Sequence, residues 1–368
     1  MTTLEEGKDQ SVLDDAPVPV EGNTDTQLSI CIATYKRGNV IRETLDNICA
    51  QLCIKTELIV VDGNSPDNTE EILREYQESH SNIHYFREET NSGVDQDFDK
   101  AVGYARGDYC WLMTDDDLLE PEAVATVLKA IKSNPDLIIV DAEVRSSDFR
   151  QVLQHSRMFL SQDAHFESID DDFLKTAGDQ LSFIGSVVIK REVWNTRDRE
   201  PFYGSLFMHA GVILQSPPLQ SICVLAKPLI QIRYGNAMWT PRSFEIWMLM
   251  WPQLIWSFPR YSDEAKHIVC PADPWKNSLV LLKHRAKGSY SREIYRRYIN
   301  PRSRGWLRLK SWLIACVPAA VANFFAVGYV VVLSRSSRLG LSDLLESPHA
   351  SLASKWLARA LPLPEIVK

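Results

Sequence analysis

Tyr109-Cys110-Trp111-Leu112-Met113-Thr114-Asp115-Asp116-Asp117 is the stretch on which the fold turns. An apolar run stops abruptly against a threonine and three adjacent carboxylates. A short apolar run of this kind reads as a buried strand, and the acids mark its carboxyl end. A turn or helix cap needs only one acid. Three in a row repel each other, and a bound divalent cation relieves that repulsion. Hard oxygen donors favour Mg2+ or Mn2+.

The same grammar repeats on either side. Leu28–Ala33 reads as a strand ending in Thr34-Tyr35-Lys36-Arg37. Glu57–Val61 reads as a second, ending in Asp62-Gly63-Asn64-Ser65-Pro66-Asp67-Asn68-Thr69. Asn82–Phe86 and Leu137–Val140 are two more. Between them lie helical patterns over 40–52, 69–76, 94–105 and 121–131. Strands alternating with helices predict an α/β fold with a mostly parallel, Rossmann-like sheet flanked by helices. Ligands of such sheets sit at the carboxyl ends of the strands. Here those ends collect carboxylates, amides and an arginine. Further on, Ser182–Lys190 reads as a strand, Gly204–Gln215 as a helix and 231–243 as a loop.

What is missing also narrows the function. The first strand is not followed by GxGxxG, and no GxxxxGK[ST] occurs, so neither a dinucleotide fingerprint nor a P-loop is present. The strand 1 loop has the single Gly38, which disfavours a sugar nucleotidyltransferase. The seven cysteines include no CxxC pair, which excludes a zinc ribbon or a thioredoxin-like motif. The odd cysteine count and an N-terminus without an apolar run point to a reducing, cytoplasmic setting. At 368 residues, 45% hydrophobic and 24% charged, the chain has the composition of a folded globular protein.

The motifs together resemble family-2 glycosyltransferases of the GT-A fold. The resemblance rests on Thr34-Tyr35-Lys36-Arg37, Asp62-Gly63-Asn64-Ser65-Pro66-Asp67-Asn68-Thr69, Asn91-x-Gly93, Gly107-Asp108-Tyr109 and the acid triplet leading to Pro121. Within the family the chain is similar to the abequosyltransferase-like branch of bacterial O-antigen and polysaccharide synthesis. The resemblance implies a nucleotide-sugar donor, a divalent metal (Mn2+ or Mg2+) and inversion at the anomeric carbon. It implies that Thr34, Arg37, Asp62 and Asn64 line the nucleotide pocket. Asp115 would serve the donor sugar, and Asp116 with Asp117 the metal. One position departs from the family's Asp-x-Asp-Asp form, which has Thr114 here in place of its first acid.

The family's base is an Asp in a Glu-Asp pair, and no such pair appears in the corresponding region. His209 falls there, and an imidazole with an ordinary pKa near 6.5 suits a base at neutral pH. A half-buried structural histidine is the competing reading, and Asp198 or Glu200 are the other candidate bases. The loop over 231–243 carries Arg233, Tyr234, Asn236, Trp239 and Arg242. Arginines pair with phosphates and aromatic rings stack on sugars, so this loop is expected to cover the donor, with Arg233 and Arg242 as its ligands.

Charge is unevenly spread. Net charge is −8, yet residues 283–338 hold twelve Lys/Arg and one acid. Residues 1–27 hold seven acids and one Lys and are expected to be a disordered leader. The basic segment encloses Ser311–Ser334, which has no charged residue. Arg302, Arg304, Arg308 and Lys310 precede that stretch, and Arg335 and Arg338 follow it. A membrane surface with anionic lipids is the expected partner, and nucleic acid is not. A spanning helix, a surface-lying or re-entrant helix and a buried soluble helix all remain open.

The expected domains are therefore the leader (1–27), a catalytic domain (28–230), an acceptor-side region (231–300) and a basic, helical, membrane-associated region (301–368). The expected activity is transfer of one sugar to a polyprenyl-diphosphate-linked saccharide at the cytoplasmic face of the inner membrane. A non-catalytic saccharide-binding or assembly module is the alternative, because the Glu-Asp pair is missing.

Overall fold

The computed structural model describes residues 25–235, 242–334 and 338–361. Most of the expected acidic leader, as well as Asn236, Trp239 and Arg335, lies outside the described residues.

The first half builds as its apolar runs dictate. The strands are β1 (Leu28–Thr34), β2 (Thr56–Asp62), β3 (Ile83–Arg87), β4 (Tyr109–Met113), β5 (Leu118–Leu119) and β6 (Leu137–Arg145). The helices between them are α1 (Ile41–Cys49), α2 (Thr69–Ser79), α3 (Val94–Tyr104) and α4 (Ala123–Ile131). Then follow β7 (Val152–Gln154), β8 (Ala164–Ser168), α5 (Asp171–Ala177), β9 (Val187–Lys190), α6 (Arg191–Asn195), α7 (Met208–Leu214) and β10 (Gln220–Arg233).

All these strands join one sheet, whose main path runs β3-β2-β1-β4-β9-β6-β10-β5. The run β3-β2-β1-β4 is wholly parallel. Beyond it the sheet is mixed, because β9 runs antiparallel to both β4 and β6. Parallel pairing returns beyond β9, between β6 and β10. The strand expected over 182–190 begins at Val187, since the residues before it form tight helical turns. β10 carries the sheet three residues beyond the expected boundary at 230.

Both faces of the sheet are buried, as parallel strands require. Alternation along β1 sends Ile30 and Ile32 to the side packed by α1, α2 and α4. Cys31 and Ala33 go to the other side, with α3, α5 and α7. At the amino end, Gly107 passes so close to β1 that an added Cβ would lie 2.8 Å from the Ser29 nitrogen. That contact lets Glu57, 3% exposed, accept hydrogen bonds from Ser29 Oγ at 2.6 Å and the Arg106 backbone N–H at 2.7 Å.

The C-terminal part is helical. Uncharged Ser311–Ser334 is not one helix. The helix Gly305–Cys316 and the helix Ala319–Tyr329 meet at Val317-Pro318, and the two arms are bent by 96°. Proline lacks the backbone N–H that would continue the first helix. Among the described residues no single helix is long and apolar enough to cross a membrane.

Candidate functional site: the strand ends around Arg37 and the acid triplet

Register places the polar strand ends side by side. Thr34 pairs with Asp62 across β1 and β2, and Ile32 pairs with Met113 across β1 and β4. The segment after β1 therefore runs alongside the acid triplet after β4. Lys36 takes a left-handed backbone (φ 58°), which turns the chain sharply there. Arg37 then reaches the acids, with Nε 3.0 Å from Asp115 Oδ1 and Nη2 3.3 Å from Asp116 Oδ2.

The loop after β2 holds that turn in place. Its Ser65 Oγ accepts from the Lys36 N–H at 2.9 Å, and Thr69 Oγ1 accepts from the Arg37 N–H at 3.0 Å. Asp67 accepts from the Gly38 N–H at 3.2 Å and from Thr69 Oγ1 at 2.6 Å. Asp62 is fully buried. One of its oxygens takes the Ser65 N–H and hydroxyl, and the other takes Tyr85 Oη at 3.0 Å. Asp62, expected to line the nucleotide pocket, thus already accepts from protein donors on both oxygens. It builds the loop that holds Arg37. Asn64 sits at the rim, joined to the Glu89 carbonyl and to Arg87. Thr34 lies buried beside Asp115.

The three acids are not equivalent. All are buried, and burial pushes Asp115 and Asp117 well above the usual carboxylate range. Arg37 opposes that rise at Asp115, while the Asp116 charge adds to it. Asp117 is spent on the scaffold. Its Oδ1 accepts from the Arg233 N–H at 2.7 Å and its Oδ2 from the Thr114 hydroxyl. The departure at Thr114 thereby gains a reason, since a hydroxyl can donate to Asp117 where a carboxylate could not. Asp117, expected beside the metal, anchors the acid loop through these two bonds. Asp116 and Asp115 remain, on one side of a single arginine.

Arg233 is likewise already engaged. Its guanidinium donates to the Asp116 carbonyl at 2.8 Å, the Ser147 carbonyl at 2.9 Å and Glu43 at 2.5 Å, and stacks over Phe149. It clamps the acid loop with three of its five N–H donors. Arg242 pairs with Glu245 at 3.0 Å and lines a surface hollow with Arg297 and Tyr298, not the strand-end cluster.

His209 is corrected as a base. It is 1% exposed, in the first turn of α7, with Nε2 2.8 Å from the Leu181 carbonyl. Burial pushes its pKa down to about 4. An imidazole so placed cannot reach an acceptor hydroxyl. Asp198 lies at the far end of α7, where Gln215 bonds its backbone, and α7 begins next to Asp95. Glu200 opens the exposed turn that follows Asp198. The residues missed from sequence are positional ones: Glu43, Ser65, Thr69 and Asp95. Asp95 accepts from the Leu206 and Met208 N–H groups at 2.9 and 3.3 Å and so fixes the start of α7. The spacing Asn91-x-Gly93-x-Asp95 was the available signal.

Residues 29–189, which contain every strand end just described, match the family model described as Glycosyl transferase family 2. Over those residues the chain is similar to the family-2 glycosyltransferases. An abequosyltransferase of Salmonella typhimurium is 26% identical over 223 residues, covering 57% of this chain and 67% of that protein. A PGL/p-HBAD biosynthesis glycosyltransferase of Mycobacterium bovis is 32% identical over 127 residues. That match covers 33% of this chain and 49% of the mycobacterial one, so the chain spans about half of that relative's length. Among solved structures, S. aureus TarS 1–349 in complex with UDP-GlcNAc aligns with a TM-score of 0.49 and 17% identity, over 87% of this chain and 89% of that one. The enzyme is a glycosyltransferase, with a mixed α/β open sheet and a helical C-terminal region.

The acid triplet is the candidate metal site. Among the described residues no three metal-capable side chains converge on one point. That suits Mg2+ or Mn2+, which take one or two carboxylates and fill their remaining positions with substrate phosphates and water. Two buried carboxylates facing one guanidinium are such a donor set.

Proposed function

We propose that the enzyme moves one sugar from a nucleotide-sugar donor to a saccharide carried on a polyprenyl diphosphate, with inversion and with a divalent cation. The observation that carries this reading is Arg37 set between Asp115 and Asp116 at the carboxyl ends of β1 and β4. A diphosphate and its cation are the ligand for which one arginine and two carboxylates are matched in charge. Asp116, with Asp115 beside it, would hold the cation, which supplies Lewis-acid stabilisation of the departing diphosphate. Arg37 orients the phosphates from the other side. Thr34 and Asn64 border the nucleotide. Arg233 and Asp117 do not touch donor. They hold the acid loop at the distance the diphosphate needs.

The similarity to an abequosyltransferase supports a saccharide acceptor of the O-antigen type. A lipid-linked acceptor and a place at the cytoplasmic face of the inner membrane agree with the basic, apolar C-terminal region. The chain lacks the Gln-x-x-Arg-Trp motif that the family's processive synthases carry, which favours a single addition.

A panel of nucleotide sugars tests the reading through release of free nucleoside diphosphate, with and without Mn2+. One donor should be turned over, and chelator should stop it. Full turnover in excess chelator would end the metal-dependent reading.

A further inference from the structure

The two arms that meet at Pro318 are apolar on their outward faces as well as on their inward ones. In a soluble helix the apolar stripe faces the core. Here Trp306, Trp312 and Leu313 point outward from the first arm, with Trp306 72% exposed. From the second arm Phe325, Tyr329 and Leu333 do the same, with Phe325 69% exposed. The inward faces are mostly apolar as well, but they also hold two polar residues. Ser311 and Asn323 are fully buried, and Asn323 donates to the Leu344 carbonyl at 2.7 Å. A third helix, Leu352–Ala360, packs on the second arm with Ser354 buried and Trp356 exposed.

Each arm also has one face committed to protein. Ile314 and Ala315 pack with Phe244, Trp275 and Tyr290. Ala322 and Val327 pack with Ala286 and Ala358. A helix crossing the bilayer alone needs lipid around it and about 30 Å of length. The first arm has 12 residues, or roughly 18 Å at the helical rise. The charges lie at the start of the elbow: Arg302, Arg304 and Arg308 are exposed there, with Lys310 half-buried. Outward tryptophans beside arginines are the composition of a helix seated at the headgroup level.

We propose that this elbow is a monotopic docking surface for anionic phospholipid, entering one leaflet without crossing it. The apolar faces take the acyl boundary, and the arginines take lipid phosphates. The proposal does not rest on the donor chemistry, because lipid binding is read without any sugar nucleotide.

Sedimentation of the full chain with vesicles of phosphatidylcholine alone, or with phosphatidylglycerol added, tests it. Binding should be at least tenfold tighter with phosphatidylglycerol and should weaken with salt. The triple variant Trp306→Ser/Trp312→Ser/Phe325→Ser should lose at least tenfold in vesicle affinity with an unchanged thermal melt. Arg304→Glu/Arg308→Glu, confined to exposed side chains, gives a second route should the triple variant fail to fold, and should abolish the phosphatidylglycerol preference. Brominated lipids should quench the outward tryptophans most when bromine lies near the glycerol. Three results would overturn the proposal: vesicle affinity unchanged in both variants, strongest quenching at the bilayer centre, or a lipid-independent dimer that the triple variant abolishes.

Discussion

Arg37 stands 3.0 Å from Asp115 and 3.3 Å from Asp116, so a cation of the protein's own lies against both acids. A charge-assisted hydrogen bond from an arginine to a phosphate contributes about 1.5–3 kcal/mol. Arg37→Ala should therefore weaken nucleoside diphosphate binding roughly tenfold or more by calorimetry. Arg37→Lys should recover only part, since an ammonium cannot bridge two carboxylates as a planar fork does. Unchanged affinity in Arg37→Ala would place the donor elsewhere.

Asp116 and Asp117 should separate cleanly. Asp116→Asn should remove Mn2+-dependent donor binding with little change in melting temperature. Asp117→Asn should lower stability by about 1–3 kcal/mol, because an amide cannot accept from both the Arg233 N–H and the Thr114 hydroxyl. Thermal melts and Mn2+ titrations of the two variants decide it. Loss of Mn2+ binding in Asp117→Asn with an intact melt would return Asp117 to the metal.

His209 supplies a pH test. Its folded pKa of about 4 lies below the ordinary 6.5, so the unfolded chain binds more protons between those values. Stability must then fall as pH drops through that window, with a slope approaching 1.4 kcal/mol per pH unit from this group. His209→Gln keeps a donor for the Leu181 carbonyl and should flatten that slope in melts between pH 7 and 5. Its turnover at neutral pH should stay within roughly tenfold of the parent. A loss of 10² or more in a folded variant, the size expected for a missing general base, would restore the catalytic role.

Glu57 works in the opposite sense. Burial disfavours its charge, yet hydrogen bonds from His84, Ser29 and the Arg106 backbone bring its pKa down to about 2. Its contribution is present above the ordinary 4.5 and is lost as pH falls toward 2. Glu57→Gln should cost on the order of 3 kcal/mol at neutral pH, as breaking a buried charged network does, with donor affinity unchanged, since the cluster lies at the amino ends of the strands.

The parallel half of the sheet was legible because each strand is a continuous apolar run closed by polar residues. Tyr109–Met113 matches its strand residue for residue. β10 was not legible. It contains Lys227 and Pro228, and the register shifts on both sides of Pro228, so no clean pattern marks it. The site was legible as a set of strand ends, not as a set of roles. Asp62, Asp117 and Arg233 have the residue types of ligands but are engaged by Ser65 and Tyr85, by Thr114 and the Arg233 N–H, and by Asp116, Ser147 and Glu43 in turn. His209 sits at the expected position in the chain, and only packing reveals that its ring faces the core. The uncharged stretch was visible by composition, while its break at Pro318 decides that it forms an elbow.

The account rests on a donor diphosphate joining a cation to Asp116 opposite Arg37. Electron paramagnetic resonance of Mn2+ tests this directly, with protein titrated against free Mn2+ in the presence of UDP, GDP, CDP or dTDP. The account predicts that one nucleotide sharply lowers free Mn2+ with the parent protein, beyond what the nucleotide does alone, and that Asp116→Asn abolishes the effect. Equal Mn2+ uptake by parent and Asp116→Asn, or no uptake with any nucleotide, would contradict it.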